Sequence, residues 1–583
     1  MQFLEMMLKA IQQIGSAIPE WIVLLVSSSG SVTTVLRWVM PVLAFFILLQ
    51  TARSMLVWKK EPEIWAYIDL PNGARLPISH WENTIGRSPS SDIVLNYPTV
   101  SRSHAVLVRA DDGSWTITDV GSKGGIVVNK RPVEGKSPVY PGDIISLAGV
   151  EIALLPIEVE QEQQEDDESS LRKPGKPGRV LFLVTLFQLL TAMQLCTFAS
   201  EENKTTIIMA FAGLAAFMWL YFIFMRALQR TGFEVETIAF FLTTLGFSVV
   251  ASAAPGELGK MFFVTIMAVL IFVLLGWFLR DLERAKKARW FMGGAALMLL
   301  AANLLLGKIV YGAQNWIYIG AFSFQPSELV KIAFIYAGTA TLDRLLAKRN
   351  LTMFILFSGA CIGTLALLGD FGTASIFFVA FVVIAFMRSG DLATISLICA
   401  GTGFAGMLAV RFKPYIAKRF SAWGHVWAYA STTGYQQTRT LMYAASGGLL
   451  GLGAGNGLLK HISAADTDLV FGILCEEWGL IVAIIAVCSL VCLAIFTVRC
   501  ASVGRSSFYV IAACASMSML LFQTALNVFG SIDFLPLTGV TFPFVSNGGS
   551  SMLASWGLLA FVKAADTRKN ASFAIKRPKE EIQ

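Results

Sequence analysis

Residues 85–108 read IGRSPSSDIVLNYPTVSRSHAVLV. Polar, turn-forming residues dominate from Ser88 to Ser103, and a short β-branched run closes the stretch. Further short runs follow, SWTITDV (114–120) and GIVVN (125–129), separated by Asp112-Gly113, Gly121-Ser122 and Pro141-Gly142 turns. Short alternating segments broken by such turns predict an all-β sandwich over residues 61–160. The segment QEQQEDDESSLRKPGKPGR (161–179), charged and then rich in Pro and Gly, reads as a flexible linker.

Outside this segment the chain is of a different kind. Of its 583 residues 55% are hydrophobic and 15% charged, against about 25% charged in soluble domains. A first apolar span runs from about Val35 to Trp58 and ends in Lys59-Lys60. Apolar runs long enough to cross a bilayer then recur between Val180 and Val562. They fall at about 180–199, 206–225, 237–254, 261–279, 290–307, 326–342, 351–369, 371–387, 392–410, 469–498, 506–530 and 544–562. The expected fold class is therefore a polytopic α-helical membrane protein with an inserted β-sandwich. Its divisions are 1–60 (an interfacial segment and first span), 61–160, 161–179, a membrane domain over 180–566, and a basic tail over 567–583. The N-terminus lacks the basic n-region and small-residue cleavage site of a signal peptide, so an interfacial helix is expected there. The eight cysteines lie in or beside apolar segments with no C-x-x-C pair, which reads as packing rather than a disulfide framework or metal site.

Basic residues give the orientation. With residues 61–179 in the cytoplasm, the loops at Arg226–Arg230, Arg280–Arg289, Arg344–Arg349, Arg388 and Arg499–Arg505 and the tail fall on the same side. The loops SEENK, APGELGK and LLGD, poor in Lys and Arg, fall outside, as the positive-inside rule requires. Only the long loop 411–468 departs from the rule, being outward yet carrying Arg411, Lys413, Lys418, Arg419, Arg439 and Lys460. Outward cations in one loop could hold an anionic substrate. The +7 net charge thus reports membrane orientation, not nucleic-acid binding.

The string Gly86-Arg87, then Ser101-Arg102-Ser103-His104, then GSKGGIVVN (121–129) resembles forkhead-associated (FHA) domains, which bind phosphothreonine peptides. The resemblance implies that Arg87, Ser101 and Arg102 contact the phosphopeptide and that His104 is structural. A guanidinium fork and a hydroxyl suit phosphate oxygens. The family usually carries asparagine where this chain has Gly124. Two readings stay open: a live reader, or a scaffold that has lost peptide binding.

Five strings resemble the SEDS family (RodA, FtsW, SpoVE), which polymerises lipid II into peptidoglycan. They are GAQNWIYIGAFSFQPSELVK (312–331), GDFGTA (369–374), GYQQTRTLMYAASGGLLGLGAGN (434–456), DTDLVFGILCEEWGL (466–480) and LPLTGVTFPFVSNGGSS (535–551). Glycan growth displaces a diphosphate from one sugar by the hydroxyl of another. It needs a carboxylate base, cations or a metal ion for the diphosphate, and an apolar groove. The resemblance assigns the base to Asp468, which also reads as a cap of the following helix, the two roles not excluding each other. Asp466 stands where the family has histidine. With Asp468 it could hold a divalent cation, magnesium or manganese.

The same resemblance implies substrate roles for Trp316, Glu328, Lys331, Tyr435 and Gln436. For the diphosphate, Arg411, Lys413, Lys418 and Arg419 are the first candidates. Trp316 also reads as an interfacial aromatic, Glu328 and Lys331 as a structural ion pair, and Asp370 as a helix cap. The Gly-Gly-Ser-Ser run at 548–551 reads as a close-packing surface, and Asn547 replaces a common tyrosine. Five spans, where the family usually has three, precede the Trp316 loop, besides the span before the sandwich.

The expected function is a peptidoglycan glycosyltransferase of the bacterial plasma membrane, with its active-site loop outside and its reader inside. Expected partners are lipid II, a class B penicillin-binding protein, and a phosphothreonine protein or Ser/Thr kinase. A lipid II flippase and a non-catalytic scaffold of a division, elongation or sporulation machine are the competing readings.

Overall fold

The computed structural model describes residues 29–57, 64–157, 177–341, 348–389 and 396–574, apart from breaks at 90, 111–112, 311–312, 321 and 569 and several within 402–419. The expected N-terminal interfacial helix lies outside the described residues, as do the linker at 161–176 and the end of the basic tail.

A first helix, α1 (Ser29–Leu56), leads into the sandwich. Its strands are β1 (Ala66–Asp69), β2 (Arg75–Ile78), β3 (Glu82–Gly86), β4 (Ile93–Val94), β5 (Ala105–Arg109), β6 (Trp115–Asp119), β7 (Ile126–Val128), β8 (Arg131–Pro132), β9 (Lys136–Val139), β10 (Ile144–Leu147) and β11 (Val150–Leu155). One sheet has the order β2-β1-β11-β10-β7-β8 and the other β4-β3-β5-β6-β9. Alternate residues point inward, as a pleated strand requires. Ile68, Ile145 and Leu154 from the first sheet thereby meet Ile85, Leu107 and Ile117 from the second in one sealed core.

The membrane domain continues with α2 (Gly178–Phe198), α3 (Glu201–Ala227), α4 (Glu234–Ala253), α5 (Leu258–Phe278), a short α6 (Leu282–Lys287) and α7 (Arg289–Leu306). A three-stranded hairpin follows, β12 (Lys308–Val310), β13 (Ala313–Ile319) and β14 (Phe322–Phe324). The remaining long helices are α8 (Pro326–Thr341), α9 (Lys348–Leu367), α10 (Phe371–Ser389), α11 (Tyr435–Gly447), α12 (Gly479–Ala501), α13 (Ser507–Ser531) and α14 (Gly549–Ala564). Nine helices among the described residues are long and apolar enough to cross a membrane. The expected span at 392–410 falls largely outside the described residues. Among the described residues all eight cysteines are free thiols, and five of them are buried.

The helix α4 is the axis of the bundle, with nearly every residue from Glu234 to Ala251 buried. Five of these helices (α2 to α5 and α7) precede the hairpin, and α1 packs against α2 and α12. A π turn (Leu474–Trp478) and then the 23 residues of α12 (Gly479–Ala501), about 35 Å at helical rise, separate Asp468 from the loop 502–506. That loop touches the sandwich: Trp81 N donates to Arg505 O (2.6 Å) and His80 Nδ1 lies 2.8 Å from Gly504 O. The sandwich and Asp468 therefore lie at opposite ends of the bundle. A buried ion network closes the sandwich end, with Lys563 paired to Glu236 (3.0 Å) and Arg568 to both Glu234 (3.1 Å) and Asp566 (2.8 Å).

Candidate active site and phosphopeptide interface

At the end of the bundle away from the sandwich lies a cavity of about 450 Å³. Trp316 and Tyr318 of β13, Asp370 at the start of α10, Asp466 and Asp468 before α12, and Asn547 and Ser551 around the start of α14 all line it. The sequence reads 312–325 as a loop, but it is a hairpin. Alternation in Asn315-Trp316-Ile317-Tyr318-Ile319 was the available signal, and it buries Ile317 while Trp316 and Tyr318 line the cavity. Gln314 pins the hairpin, donating its backbone N–H to Leu368 O (2.8 Å) and its amide to Leu304 O and Gly307 O.

The Asp466–Asp468 segment is held from three sides. Asn527 Nδ2, on α13, donates to Asp468 O (3.0 Å) and to Val540 O (2.8 Å). Ser546 Oγ donates to Thr467 O (2.6 Å). Asn547 grips Asp466 twice, backbone N–H to O and Nδ2 to Oδ2, both at 2.8 Å. The helix that begins at Val470 has Leu469 at its cap position and no side-chain cap bond. The Asp468 carboxylate lies against Gly539, where a Cβ would come within 3.2 Å of Oδ2. Gly539 has φ +71°, so a larger residue there is both strained and crowded.

Asp370 caps α10 by accepting from Thr373 N (3.0 Å), and its second oxygen accepts from Gln325 Nε2 (3.3 Å). It is also a wall of the cavity. Burial pushes its carboxyl above the ordinary value, against the Thr373 hydrogen bond that pulls it down.

Lys331 and Glu328 form a buried pair at 2.8 Å behind the cavity wall. Lys331 also donates to Gln523 Oε1 (2.8 Å), whose amide donates to Thr541 Oγ1 (2.8 Å), itself 2.7 Å from Ser551 Oγ. Thr541 and Ser551 line the cavity, so the pair reaches it through a continuous polar chain. The cavity lining does not include Tyr435, Gln436 or Arg411. Tyr435 stacks under Arg439, Gln436 donates to Ser463 O, and Arg411 is exposed. Lys413, Lys418 and Arg419 lie outside the described residues; the next residue, Phe420, lines the cavity. Among the described residues no three His, Cys, Asp or Glu side chains converge as a metal site, and Asp466 has one oxygen occupied by Asn547.

Sequence reasoning passed over Glu476 and Glu477, two fully buried acids in a π-helical turn (Leu474–Trp478) ahead of α12. The turn frees two carbonyls, which accept from Leu452 N (2.8 Å) and Gly453 N (2.9 Å). The carboxylates accept from Gly455 N, Leu458 N and Leu459 N. They satisfy the backbone of the glycine-rich loop leading to Asp468, which membrane burial would otherwise leave costly. Two adjacent acids inside an apolar run were the signal.

In the sandwich, Arg87 N donates to Ser101 O and Ser88 N to Arg102 O, both at 3.0 Å. This sets exposed Arg87 and Arg102 on neighbouring loops. His104 is fully buried; its Nδ1 accepts from Ser101 N (3.1 Å), so its other nitrogen donates to Gly125 O (3.0 Å). Ser101 Oγ accepts from Lys123 N (3.1 Å), and Asp119 orders the turn by accepting from Gly121 N and Ser122 N. A Cβ at Gly124 would sit 2.3 Å from the Ala148 Cβ. The neighbouring turn therefore fills the place an asparagine would need.

A helical bundle with an acid-lined cavity at one end and a β-sandwich at the other defines a polytopic membrane protein. Residues 237–571 match the cell cycle protein family FtsW/RodA/SpoVE, and residues 83–148 match the FHA domain. The chain belongs to the FtsW/RodA/SpoVE family. Among its relatives, the probable peptidoglycan glycosyltransferase FtsW of Tolumonas auensis is 33% identical over 362 residues, covering 58% of this chain and 94% of that one. The peptidoglycan glycosyltransferase RodA of Mycobacterium tuberculosis is 30% identical over 322 residues, 51% of this chain and 68% of that one. A solved chain of a peptidoglycan synthase complex that coordinates polymerization and crosslinking is 26% identical, with a TM-score of 0.48, over 57% of this chain and 96% of that one.

Proposed function

We propose that this chain is a peptidoglycan glycosyltransferase that polymerises lipid II at the outer face of a bacterial membrane, with Asp468 as the base. The observation that carries the reading is the cavity, where Trp316 and Asp468, from distant parts of the chain, face one space. Its acids and hydroxyls suit a sugar, and a carboxylate at its edge suits removal of a proton from the attacking hydroxyl. Arg411, Lys413, Lys418 and Arg419 remain the first candidates for the diphosphate, and Phe420, the residue after Arg419, lines the cavity. Tyr435 and Gln436 then act on loop order rather than on the sugar. A divalent cation, if used, would rest on Asp468 and the second oxygen of Asp466 together with substrate phosphates.

The sandwich, on this reading, is cytoplasmic and binds a phosphothreonine segment through Arg87, Ser101 and Arg102. A class B penicillin-binding protein is the expected crosslinking partner. The test is lipid II polymerisation by the purified full chain, with and without that partner. Asp468→Asn should lower the rate at least about 100-fold, the contribution of a general base. Undiminished glycan production would remove Asp468 from the role. Binding of phosphothreonine peptides should vanish in Arg87→Ala, and absence of binding in the wild type would leave the sandwich a scaffold.

A further inference from the structure

The end of the sandwich opposite the Arg87 and Arg102 loops is itself a binding surface, and the helical bundle of the same chain occupies it. His80 and Trp81 lie in the turn from β2 to β3 and Glu82 opens β3, at the near end of the sandwich. Both chain junctions with the bundle leave from this end, since Trp65 N donates to Ile78 O and Leu155 pairs with Tyr67. Trp81 packs against the core of the helical bundle, and its backbone N–H donates to Arg505 O (2.6 Å). His80 meets Gly504 O (2.8 Å), and the Arg505 guanidinium sits 5.5 Å over the Trp65 ring. Across the same face, the largely buried Glu82 accepts from Lys286 of α6 (3.1 Å). Arg87 lies at the far end of β3, about 15 Å away at strand rise. The reader can therefore be occupied while this end is engaged.

The two loops so gripped are not arbitrary. Lys286 precedes α7, whose other end continues into β12 and β13 with Trp316. Residues 502–506 follow α12, whose other end leads back through the π turn to Asp468. The helices beside them also touch at this end, since Tyr509 Oη, in the first turn of α13, donates to Leu279 O just after α5 (2.6 Å). One rigid body thus holds the far ends of the helices that carry both walls of the cavity.

We propose that the sandwich is a brace acting in cis: by holding Lys286 and the 502–506 loop at fixed separation, it sets the spacing between the Trp316 hairpin and the Asp468 segment. Whatever binds Arg87, Ser101 and Arg102 is then carried on a body already coupled to the cavity. The inference uses the glycosyltransferase reading only for its consequence on turnover.

The experiment uses full-length protein with spin labels on introduced cysteines, the exposed native Cys399 and Cys488 being replaced. One pair, Lys308→Cys with His461→Cys, reports across the cavity end. The other, Lys136→Cys with Arg226→Cys, reports the dock. The dock is opened by Glu82→Lys combined with His80→Ala and Trp81→Ala, and Glu82→Lys with Lys286→Glu restores the ion pair in the opposite sense.

In the triple variant the dock distance should lengthen, and the cavity distance should move by about 2 Å or more, the scale of helix shifts. Polymerisation should fall at least about threefold with it, and the charge swap should return both distances and rate to those of the wild type. A cavity distance unmoved while the dock is open overturns the brace, and so does a dock that stays closed in the triple variant. A wild-type chain that polymerises nothing overturns the glycosyltransferase reading instead, and the two distances still decide the brace.

Discussion

Replacing Lys331 by Met separates stability from chemistry at the cavity's rear wall. Lys331 is fully buried, Glu328 is 4% exposed, and their N–O distance is 2.8 Å. Glu328 Oε2 has no hydrogen-bond partner among the described residues, so Lys331 is the carboxylate's principal support. Removing one partner of a buried pair costs about 3–5 kcal/mol, because the remaining charge is left unpaired in a medium that solvates it poorly. Gln523 Oε1 loses its donor as well, a further cost of about 1 kcal/mol. The double variant Lys331→Met/Glu328→Gln removes both charges and should recover most of the loss, with a coupling of about 2–3 kcal/mol in the cycle. Unfolding of the purified proteins in detergent, followed at equal protein concentration, gives the ranking of wild type, double variant and Lys331→Met. If Lys331→Met alone matches the wild type, or the double variant is no better than the single, the buried-pair argument fails. If the double variant is stable but polymerises no lipid II, the pair contributes to the substrate as well as to the fold.

Asp370→Asn should stabilise the protein. The Asp370 carboxyl is raised above its unfolded value by burial. The wild type therefore holds its full margin below the ordinary carboxylate pKa and loses it as pH rises through the higher folded value; Asp370→Asn should not show that loss in a pH series of melting curves. Arg568→Met should cost about 3–5 kcal/mol by removing the guanidinium that Asp566 and Glu234 share. Burial alone would raise Asp566, but the Arg568 guanidinium outweighs it and holds the carboxyl below its ordinary value. Its stabilising share is present above the unfolded pKa and lost as pH falls, so acid melting of the wild type should lose a component that Arg568→Met lacks. Gly124→Asn should lower the melting temperature of the sandwich through the Ala148 contact, and peptide titration should find no gain in affinity. Asn547→Ala, which frees Asp466, should reduce polymerisation with little change in melting temperature, read from steady-state rates at saturating lipid II.

The parts of this protein that could be read along the chain are those whose physics is local. Alternation and turn residues located the sandwich, and apolar length located the helices, because each depends on neighbours within a few positions. Asp370 was likewise legible as a cap from its place before Phe371. The cavity is not local. Trp316 and Asp468 were named through family strings, and nothing in their own neighbourhoods says that they face one space. Asn547 shows the limit most clearly: as an isolated departure from a motif it had no role, yet it bonds Asp466 across 81 positions.

The long basic loop is harder to read along the chain. The family strings named Tyr435 and Gln436, and the outward cations named Arg411, but none of the three is in the cavity lining. The fold instead spends Gln436 on Ser463 and Tyr435 on Arg439, as part of ordering the approach to Asp468. Glu476 and Glu477 do the same from beneath, through the π turn. Three backbone N–H groups of this loop rest on Glu476 and Glu477, while its cations add single contacts, Lys460 Nζ to Gly455 O and Arg439 on the Tyr435 ring. Neutralising Glu476 should therefore disturb Asp468 more than neutralising Arg439 does, although Arg439 lies in the same outward loop.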